Sequence, residues 1–389
     1  MATARLTGSF QFKSNASGKF PAQAFPLLSP FPSFVMTETL TINIQRSATS
    51  RLGELDPANI EFGKLFSDHL FVVDYINGEW QEPQILPYGE MAVSPANSAL
   101  HYGQAIFEGM KAYRTAQGGV SLFRPLDNLQ RLNASAERMC MPTLPEELFM
   151  QGLTQLIRLD SGWVPKAADT ALYIRPFMFA TDGFLGVRPS ESYRFMIITC
   201  PVGAFYNKPL RVRFEEKYVR SAEGGAGYAK NAGNYGAAMY PTKLAQQQGY
   251  NQLIWTDASE HRYVEESGTM NAIFVINDRV ITPALSTSIL DGITRRSVLQ
   301  LARDWDMPVE ERKVSVHEIV EALEAGTLRE AFGVGTAATI APIAVIGFEG
   351  HDYELPMTSA NSFSRRASTA LAAIRSGQAP DAHGWMTAV

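Results

Sequence analysis

Strand-like and helix-like segments alternate irregularly from residue 70 to the end of this chain, and no internal repeat is present. LFVVDYING (70–78) has the pattern of a strand that ends in an Asn-Gly turn, and GEWQEPQILPYG follows as its hairpin partner. NQLIWTD, RYVEES and NAIFVIN follow one another closely, which indicates antiparallel pairing. An irregular order of this kind predicts a mixed α/β or α+β fold.

Six segments have the apolar spacing or the end signals of helices. Asp127 is the expected N-cap of the first helix, and Asp291 lies near the start of the fourth. Ser315 is expected to cap the fifth helix, and Gly326 to end it. The predicted helices span residues 127–141, 145–164, 233–249, 291–305, 315–326 and 361–377.

A chain of 389 residues is long enough for two domains, each with its own core. PVGAFYNKP (201–209) carries two prolines and a glycine between patterned segments, so we interpret it as the linker. The predicted parts are an N-terminal extension over 1–52, a small domain over 53–200 and a larger domain over 210–389.

The first 35 residues are basic and contain no Asp or Glu. Such a composition fits a transit peptide, and it fits an over-extended reading frame with Met36 as the natural start equally well. We favour the second interpretation slightly. The expected location is therefore cytoplasmic, with a mitochondrial or plastid location as the alternative.

Composition argues against several classes of function. The net charge is −5 and no stripe of Lys and Arg is present, so nucleic acid is not an expected partner. No apolar run approaches the ~20 residues that span a bilayer. The six His have no metal-ligand spacing, and Cys140 and Cys200 form neither a CxxC motif nor a disulfide framework.

GYAKNAGNYG (227–236) places Lys230 among small residues, so that a large ligand can approach the backbone. A lysine amine held away from water can condense with a carbonyl group as a Schiff base. Tyr235, five residues later, offers a phenol that can donate to a nearby oxyanion. A solvated surface lysine in a flexible loop is the alternative, and for a single lysine in such a loop it is the commoner case.

Further features of the second half fit a phosphorylated aldehyde as the ligand. Glu266 in EESGTMN supplies a carboxylate, and GVGTA (333–337) offers Thr336 beside free backbone N–H groups. The N–H groups of Ile293 and Thr294 at a helix start suit a phosphate.

Each feature also has an ordinary structural interpretation. A glycine pair such as that of GVGTA is more often a bulge or a site of close packing. Glu266 beside Glu265 fits a solvated pair, Asp291 a simple cap, and Arg131 a surface residue. Only the occurrence of all these features together, in this order, favours a site.

Eight segments carry a resemblance to a known family, and they extend from about Phe62 to the end of the chain. They are LHYGQAIFEGMKAYR, LFRPLDNLQRL, LYIRPFMF, CPVGAFY, GYAKNAGNYG, EESGTMN, LDGITRRS and AFGVGTAATI. The chain resembles the branched-chain amino acid aminotransferases of fold type IV, which use pyridoxal 5′-phosphate. The resemblance implies a small α/β domain, a larger domain with a mostly antiparallel pseudo-barrel, and a homodimer.

The resemblance also implies residue roles. Lys230 matches the catalytic lysine that forms the internal aldimine and shuttles the proton, and Glu266 matches the carboxylate on the pyridine nitrogen. Tyr235 matches the phenol on the ring oxygen. The implied phosphate ligands are Arg131, Ile293, Thr294 and Thr336. Thr269, beside the cofactor, and the backbone of Ala337 match positions near the substrate carboxylate. The implied side-chain pocket consists of Phe62, Tyr102, Phe107, Tyr173 and Arg175.

The implied reaction is transamination of L-leucine, L-isoleucine and L-valine with 2-oxoglutarate, which yields branched-chain 2-oxo acids and L-glutamate. Ala338 and Ala341 replace the redox CxxC of the animal enzymes, so thiol regulation is not expected there. The alternatives of the same fold type are a D-amino acid transaminase and an aminodeoxychorismate lyase. A non-catalytic protein that binds a phosphate ligand is the alternative from another class.

Overall fold

The structure is a computed structural model that describes residues 40–203 and 208–389. The predictions for residues 1–35, and those for the middle of the linker at 201–209, lie outside the described residues. Over the described ranges, every helix is too short or too polar to cross a membrane.

Seven α-helices and nineteen strands form in the described part of the chain. The helices are α1 (Ser98–Tyr102), α2 (Pro125–Arg138), α3 (Glu146–Leu159), α4 (Ala232–Gln247), α5 (Ile293–Asp304), α6 (Val316–Glu324) and α7 (Phe363–Arg375). The strands are β1 (Asn43–Ile44), β2 (His69–Ile76), β3 (Glu79–Trp80), β4 (Gln84–Pro87), β5 (Ala105–Phe107), β6 (Met110–Arg114), β7 (Val120–Phe123), β8 (Ala171–Ala180), β9 (Tyr193–Val202), β10 (Leu210–Phe214), β11 (Gln252–Thr256), β12 (Val264–Ser267), β13 (Met270–Ile276), β14 (Arg279–Pro283), β15 (Val309–Arg312), β16 (Leu328–Gly335), β17 (Thr339–Phe348), β18 (His351–Glu354) and β19 (Met386–Ala388).

The first half of the chain builds a ten-stranded sheet in the order β1-β4-β2-β9-β8-β6-β7-β19, with β3 and β5 paired to β2 and β8. Its last strand, β19, comes from the C-terminal end of the chain and pairs antiparallel with β7. Apolar residues of α2 and α3 pack on this sheet, among them Leu132 and Phe149 against a core that includes Phe71 and Phe195. This burial places α2, and with it Arg131, beside strand β5.

The second half builds a nine-stranded sheet in the order β12-β11-β10-β17-β16-β13-β14-β15, with β18 paired to β17. A further pairing of β12 with β13 closes six of its strands into a barrel. Four of the six pairings around the barrel are antiparallel, and the two that involve β10 are parallel. The predicted mixed fold class, with a mostly antiparallel pseudo-barrel in the second half, is confirmed.

Several local predictions are confirmed. The hairpin turn falls at Asn77 and Gly78, both with positive φ, as an Asn-Gly turn between twisted strands requires. Strands β11, β12 and β13 pair antiparallel in sequence order. The side chain of Ser315 caps α6 by accepting from the backbone N–H of Glu318. The division into domains stays a prediction, although the chain passes from the first sheet to the second between Val202 and Leu210.

The prediction that Asp127 is the N-cap of the first long helix, α2, was wrong. Helix α2 begins at Pro125 and its N-cap is Arg124, because proline fits the first helical position, where a backbone N–H is not needed. The carboxylate of Asp127 instead accepts hydrogen bonds from Arg124 and Arg296.

Helix α3 is shorter than predicted and ends at Leu159. The carboxylate of the next residue, Asp160, bonds the backbone N–H and the ring Nδ1 of His69 on β2. The Asp160-Ser161-Gly162 run follows, and Ser161–Trp163 form a 3-10 turn in place of the last turn of the predicted helix.

Candidate active site

Lys230 lies directly before Asn231, the N-cap of α4, and three hydrogen bonds fix its position. Its Nζ donates to the hydroxyl of Tyr235 at 2.8 Å. Its backbone N–H donates to Ser135 Oγ on α2 at 2.9 Å, and its carbonyl accepts from the N–H of Phe107 at 3.0 Å. The side chain of Asn231 caps α4 and so sets the helix start that carries Tyr235. The flexible-surface interpretation of Lys230 is therefore wrong.

A cavity of about 190 Å³ opens next to Lys230. Thirteen of the fourteen residues predicted for the site line it: Phe62, Phe107, Arg131, Tyr173, Arg175, Lys230, Tyr235, Glu266, Thr269, Ile293, Thr294, Thr336 and Ala337. The first sheet and its helices supply Arg131 and Tyr173, and the second half supplies Lys230 and Glu266. The structure therefore brings together residues that are widely separated in the sequence.

Tyr102 is the exception. It is the last residue of α1, its exposed fraction is 42%, and it does not line the cavity of its own chain.

Glu266 projects from β12 and is buried, as is Glu265, so the interpretation of a solvated pair is wrong. Oε2 of Glu266 lies 3.0 Å from Nε of Arg220, and Oε1 accepts from the backbone N–H of Leu290 at 2.8 Å. Burial raises the pKa of Glu266, while the Arg220 guanidinium and the Leu290 N–H pull that pKa down. The site therefore contains a buried carboxylate that can respond to a ligand.

Arg131 is also buried, and the surface interpretation of this residue is wrong. Its Nε and Nη2 donate to the two carboxylate oxygens of Glu108 at 2.7 and 2.8 Å. Its Nη1 donates to the carbonyl of Asp291 at 2.9 Å. A guanidinium carries five N–H donors, so the two beyond these three bonds are left for a ligand.

The start of α5 forms one wall of the cavity. The N-cap is Gly292, which has no side chain to bond the first N–H groups of the helix, and Ile293 and Thr294 follow it. A Cβ at Gly292 would lie 1.9 Å from Oδ1 of Asn271, so glycine is required for this close approach. Unbonded N–H groups at a helix start favour an anion. Thr336 lies in the turn between β16 and β17 and lines the same cavity.

Aromatic residues form the opposite walls. Arg175 donates to the hydroxyl of Tyr173 at 3.0 Å and lies over the ring of Phe107 at 4.6 Å. The ring of Phe62 meets that of Tyr173 edge to face at 5.0 Å. An apolar pocket with one guanidinium in its wall can accept both an aliphatic side chain and a carboxylate.

Four residues that shape the site were not predicted from the sequence. Glu108 holds Arg131, Arg220 lies against Glu266, and Asn271 donates to the carbonyl of Leu290. Lys111 donates to the carbonyl of Ala337 at 3.0 Å. For Glu108 and Lys111 a signal existed, because both stand in the apolar FEGMKAY segment, where a charged side chain needs a buried partner.

Comparison with known proteins identifies the class. The model of the Amino-transferase class IV family matches residues 105–346. The chain is 46% identical over 339 residues to branched-chain-amino-acid transaminase 1 of Bacillus subtilis (strain 168), which covers 86% of this chain and 95% of that protein. It is 40% identical over 353 residues to branched-chain-amino-acid aminotransferase 2 of the same organism. This match covers 90% of this chain and 97% of that protein. The chain belongs to the class IV aminotransferase family.

Solved structures agree with this assignment. The branched-chain aminotransferase from Thermoproteus uzoniensis, solved with norvaline, has a TM-score of 0.69 and 25% identity, covering 82% of this chain and 99% of that one. The branched-chain amino acid aminotransferase of Escherichia coli has a TM-score of 0.65 and 26% identity, and the match covers 81% of this chain and 98% of that chain. A further branched-chain amino acid aminotransferase was solved in complex with N-(5′-phosphopyridoxyl)-L-glutamate. It has a TM-score of 0.66 and 26% identity, and the match covers 81% of this chain and 97% of that chain. The predicted resemblance to the branched-chain aminotransferases, and the enzyme class that it implied, are confirmed.

Proposed function

We propose that this protein uses pyridoxal 5′-phosphate to exchange the amino group of L-leucine, L-isoleucine or L-valine with 2-oxoglutarate, which yields the branched-chain 2-oxo acid and L-glutamate. The observation that carries the proposal is the Lys230 amine, held 2.8 Å from the Tyr235 hydroxyl in the cavity that also contains Glu266 and Arg131. The names of the relatives support the substrate class.

The donor set fits this cofactor. Arg131, the N–H groups of Ile293 and Thr294 and the hydroxyl of Thr336 suit its phosphate. Glu266 suits the ring nitrogen, because a buried carboxylate stabilises a protonated pyridine. When bound, the cofactor accepts the electron pair that is released at the α-carbon of the substrate.

Lys230 has two tasks in this proposal. Its Nζ would hold the cofactor, and as a free amine it would remove the α-proton of the substrate and later return a proton. The Tyr235 hydroxyl at 2.8 Å orients Nζ, and the backbone bonds to Ser135 and Phe107 hold the residue in place. Proton transfer needs such fixed geometry before it needs any particular pKa.

The pocket explains why two unlike side chains are accepted. Phe62, Phe107 and Tyr173 surround an aliphatic chain, and Arg175 beside the Tyr173 hydroxyl is placed to bind the γ-carboxylate of glutamate. Thr269 and the backbone of Ala337 line the same cavity and suit the α-carboxylate that all the substrates share.

We also infer a homodimer. Tyr102 lies outside the cavity of its own chain, and the loop after β8 carries exposed apolar residues, including Leu185 and Val187 with exposed fractions of 64% and 90%. The backbone bond from Ser98 to Asp182 joins this loop to α1. Apolar residues that cluster on a surface mark an interface, and across it Tyr102 would complete the pocket of the partner.

The direct test is Lys230→Ala. The variant is expected to bind the cofactor without a covalent bond and to lose at least about 10³-fold in turnover of L-leucine with 2-oxoglutarate. The wild-type protein is expected to show an absorbance band near ~410–430 nm that moves toward ~330 nm when L-leucine is added.

Three outcomes would contradict the proposal. A Lys230→Ala protein with near-normal rates would remove the lysine from the mechanism. A response to D-alanine in place of L-leucine would indicate a D-amino acid transaminase. A protein that stays colourless after incubation with pyridoxal phosphate would indicate a binding protein without this chemistry.

A further inference from the structure

A second and larger cleft, of about 600 Å³, shares Ala337 and Ala338 with the candidate active-site cavity. Lys111 on β6, the segment before β8, the start of β17 and one side of α7 line it. The proposed transamination uses none of the space in this cleft, so its purpose is open.

The charge of the cleft is opposite to that of the chain. Six cationic side chains line it, namely Lys111, Arg114, Lys166, Lys208, Arg365 and Arg375. Asp169 is the only acidic residue among the described residues of the lining. Because the whole chain has a net charge of −5, this surplus of positive charge is local. A cleft lined by one sign of charge concentrates ions of the other sign.

Two of these cations are buried, with exposed fractions of 8% for Lys111 and 5% for Arg375. Among the described residues, Lys111 Nζ donates a hydrogen bond to the carbonyl of Ala337 alone. The guanidinium of Arg375 lies over the ring of Phe123 at 4.3 Å and donates to Thr339 Oγ1 at 3.3 Å, and its Nε has no hydrogen-bond partner in the described ranges. Neither forms an ion pair with a described carboxylate, and a buried charge without a counter-charge is costly.

We propose that this cleft is a binding site for a small organic dianion, a dicarboxylate or a phosphate ester, held between Lys111 and Arg375 with Arg365 at the rim. The guanidinium matches the planar face of a carboxylate or phosphate, and the ammonium supplies a second point charge. The ligand provides the counter-charge that the described protein groups do not. The proposal does not depend on which amino acid the enzyme uses.

Occupancy of the cleft is expected to reach the active site through one hydrogen bond. Lys111 holds the carbonyl of Ala337, and Ala337 lines both cavities. A dianion that draws the Lys111 ammonium toward itself changes that bond and thereby the turn that faces the substrate carboxylate. The expected effect is a change in KM with little change in kcat.

Lys111 also gives the binding a proton signature. Burial, with Arg375 acting in the same direction, lowers the pKa of Lys111 to about 7. The other ionisable groups that line the cleft are Tyr113, Arg114, Lys166, Asp169, Lys208, Arg365 and Arg375. A dianion stabilises the charged amine and raises its pKa, so binding at about pH 8 takes up a proton at Lys111.

The test is calorimetry on the holoenzyme, in which the cofactor phosphate already occupies its own site. Malonate and inorganic phosphate are titrated separately at about pH 8 in two buffers of different ionisation enthalpy, which reports the proton uptake. The expected result is a Kd below about 5 mM for at least one probe, with uptake of a proton. The tighter probe distinguishes a dicarboxylate from a phosphate ester.

Variants locate the binding. Lys111→Met is expected to weaken it about tenfold and to abolish the proton uptake, and Arg365→Gln to weaken it about threefold. Arg365 is exposed and lines this cleft but not the active-site cavity, so its variant is expected to fold and to leave the lining of the active site unchanged. The matched control is Arg366→Gln on the same helix, outside the cleft, which is expected to bind as the wild type does.

Two results would overturn the proposal. One is the absence of binding of both probes to the holoenzyme up to about 20 mM, which would mean that Lys111 and Arg375 serve only the cofactor phosphate nearby. The other is a Kd that Lys111→Met and Arg365→Gln both leave unchanged, which would place the binding elsewhere.

Discussion

The Glu108–Arg131 ion pair shows how burial changes the meaning of a charged residue. Glu108 is fully buried and accepts two bonds from Arg131, which lines the candidate active-site cavity. Breaking a buried pair leaves one charge without a partner in a medium that solvates it poorly. The pair therefore does more than stabilise the fold, because it sets the direction of the Arg131 guanidinium.

Glu108→Gln is expected to lower the free energy of unfolding by about 3 kcal/mol, because the Arg131 charge stays buried without its counter-charge. It is also expected to weaken cofactor binding. Urea unfolding measures the first effect, and titration of the apoenzyme with pyridoxal phosphate measures the second.

Asp74→Asn is the matched control for this experiment. Asp74 accepts the same two-pronged pair of bonds from Arg194, at 2.7 and 2.9 Å, but both side chains are about one-third exposed. Loss of that pair is expected to lower the free energy of unfolding by less than about 1 kcal/mol. If Glu108→Gln and Asp74→Asn lost equal amounts of unfolding free energy, burial would not be the reason for the cost of breaking the Glu108–Arg131 pair.

At the scale of single elements, the start of α5 depends on a contact with β13. Gly292 approaches the side chain of Asn271, and Asn271 in turn donates to the carbonyl of Leu290. The adjacent N–H of Leu290 donates to Glu266. One glycine thus links the helix start to the buried carboxylate of the site.

Gly292→Ala is expected to displace Asn271 and to cost about 1–3 kcal/mol in unfolding free energy, because the added Cβ has no space. Cofactor affinity is expected to fall about tenfold, since the N–H groups of α5 and the position of Glu266 both shift. Fluorescence titration with pyridoxal phosphate measures this affinity.

Gly236→Ala provides the comparison. Gly236 lies inside α4, and a Cβ there meets no atom within 4 Å. Alanine is expected to stabilise the helix by up to about 1 kcal/mol. An unchanged cofactor affinity in Gly292→Ala would mean that the close contact with Asn271 does not shape the site.

At the scale of the whole molecule, two sheets with separate cores each supply part of one cavity. Tyr102 on α1 and the exposed apolar residues of the loop after β8 do not line this cavity. The proposed dimer gives these residues a partner. The compartment in which the enzyme works stays a prediction, since residues 1–35 lie outside the described ranges.

Leu185→Asp is expected to raise the dimer dissociation constant at least about tenfold, because the aspartate is desolvated at an apolar contact. The activity of the variant is expected to fall on dilution, in parallel with the fraction of protein that is dimeric. Analytical ultracentrifugation at several concentrations, paired with rate measurements, tests both expectations.

Met357→Asp is the control, since Met357 has an exposed fraction of 97% and lies in the segment between β18 and α7. This variant is expected to remain dimeric and active. A wild-type protein that sediments as a fully active monomer would refute the dimer and the role of Tyr102 with it.

The sequence by itself determined the features that depend on neighbouring residues. The Asn77-Gly78 hairpin, the Ser315 cap and the three consecutive strands β11 to β13 follow from turn conformation, hydrogen bonding over a few residues and apolar alternation. The ordered set of eight segments also determined the family, and thirteen of the fourteen implied site residues meet in one cavity.

Only the tertiary structure decided how the charges are partnered. Lys111 meets the carbonyl of a residue 226 positions away, and Arg131 bonds to Glu108 at 23 positions. The sequence marks Glu108 and Lys111 as charges that need a buried partner, but it does not mark which residue that partner is. Each contact exists only once elements distant in the sequence have packed together. Burial then determines what each charge can do, since a carboxylate or amine removed from water responds strongly to the one partner that it still has.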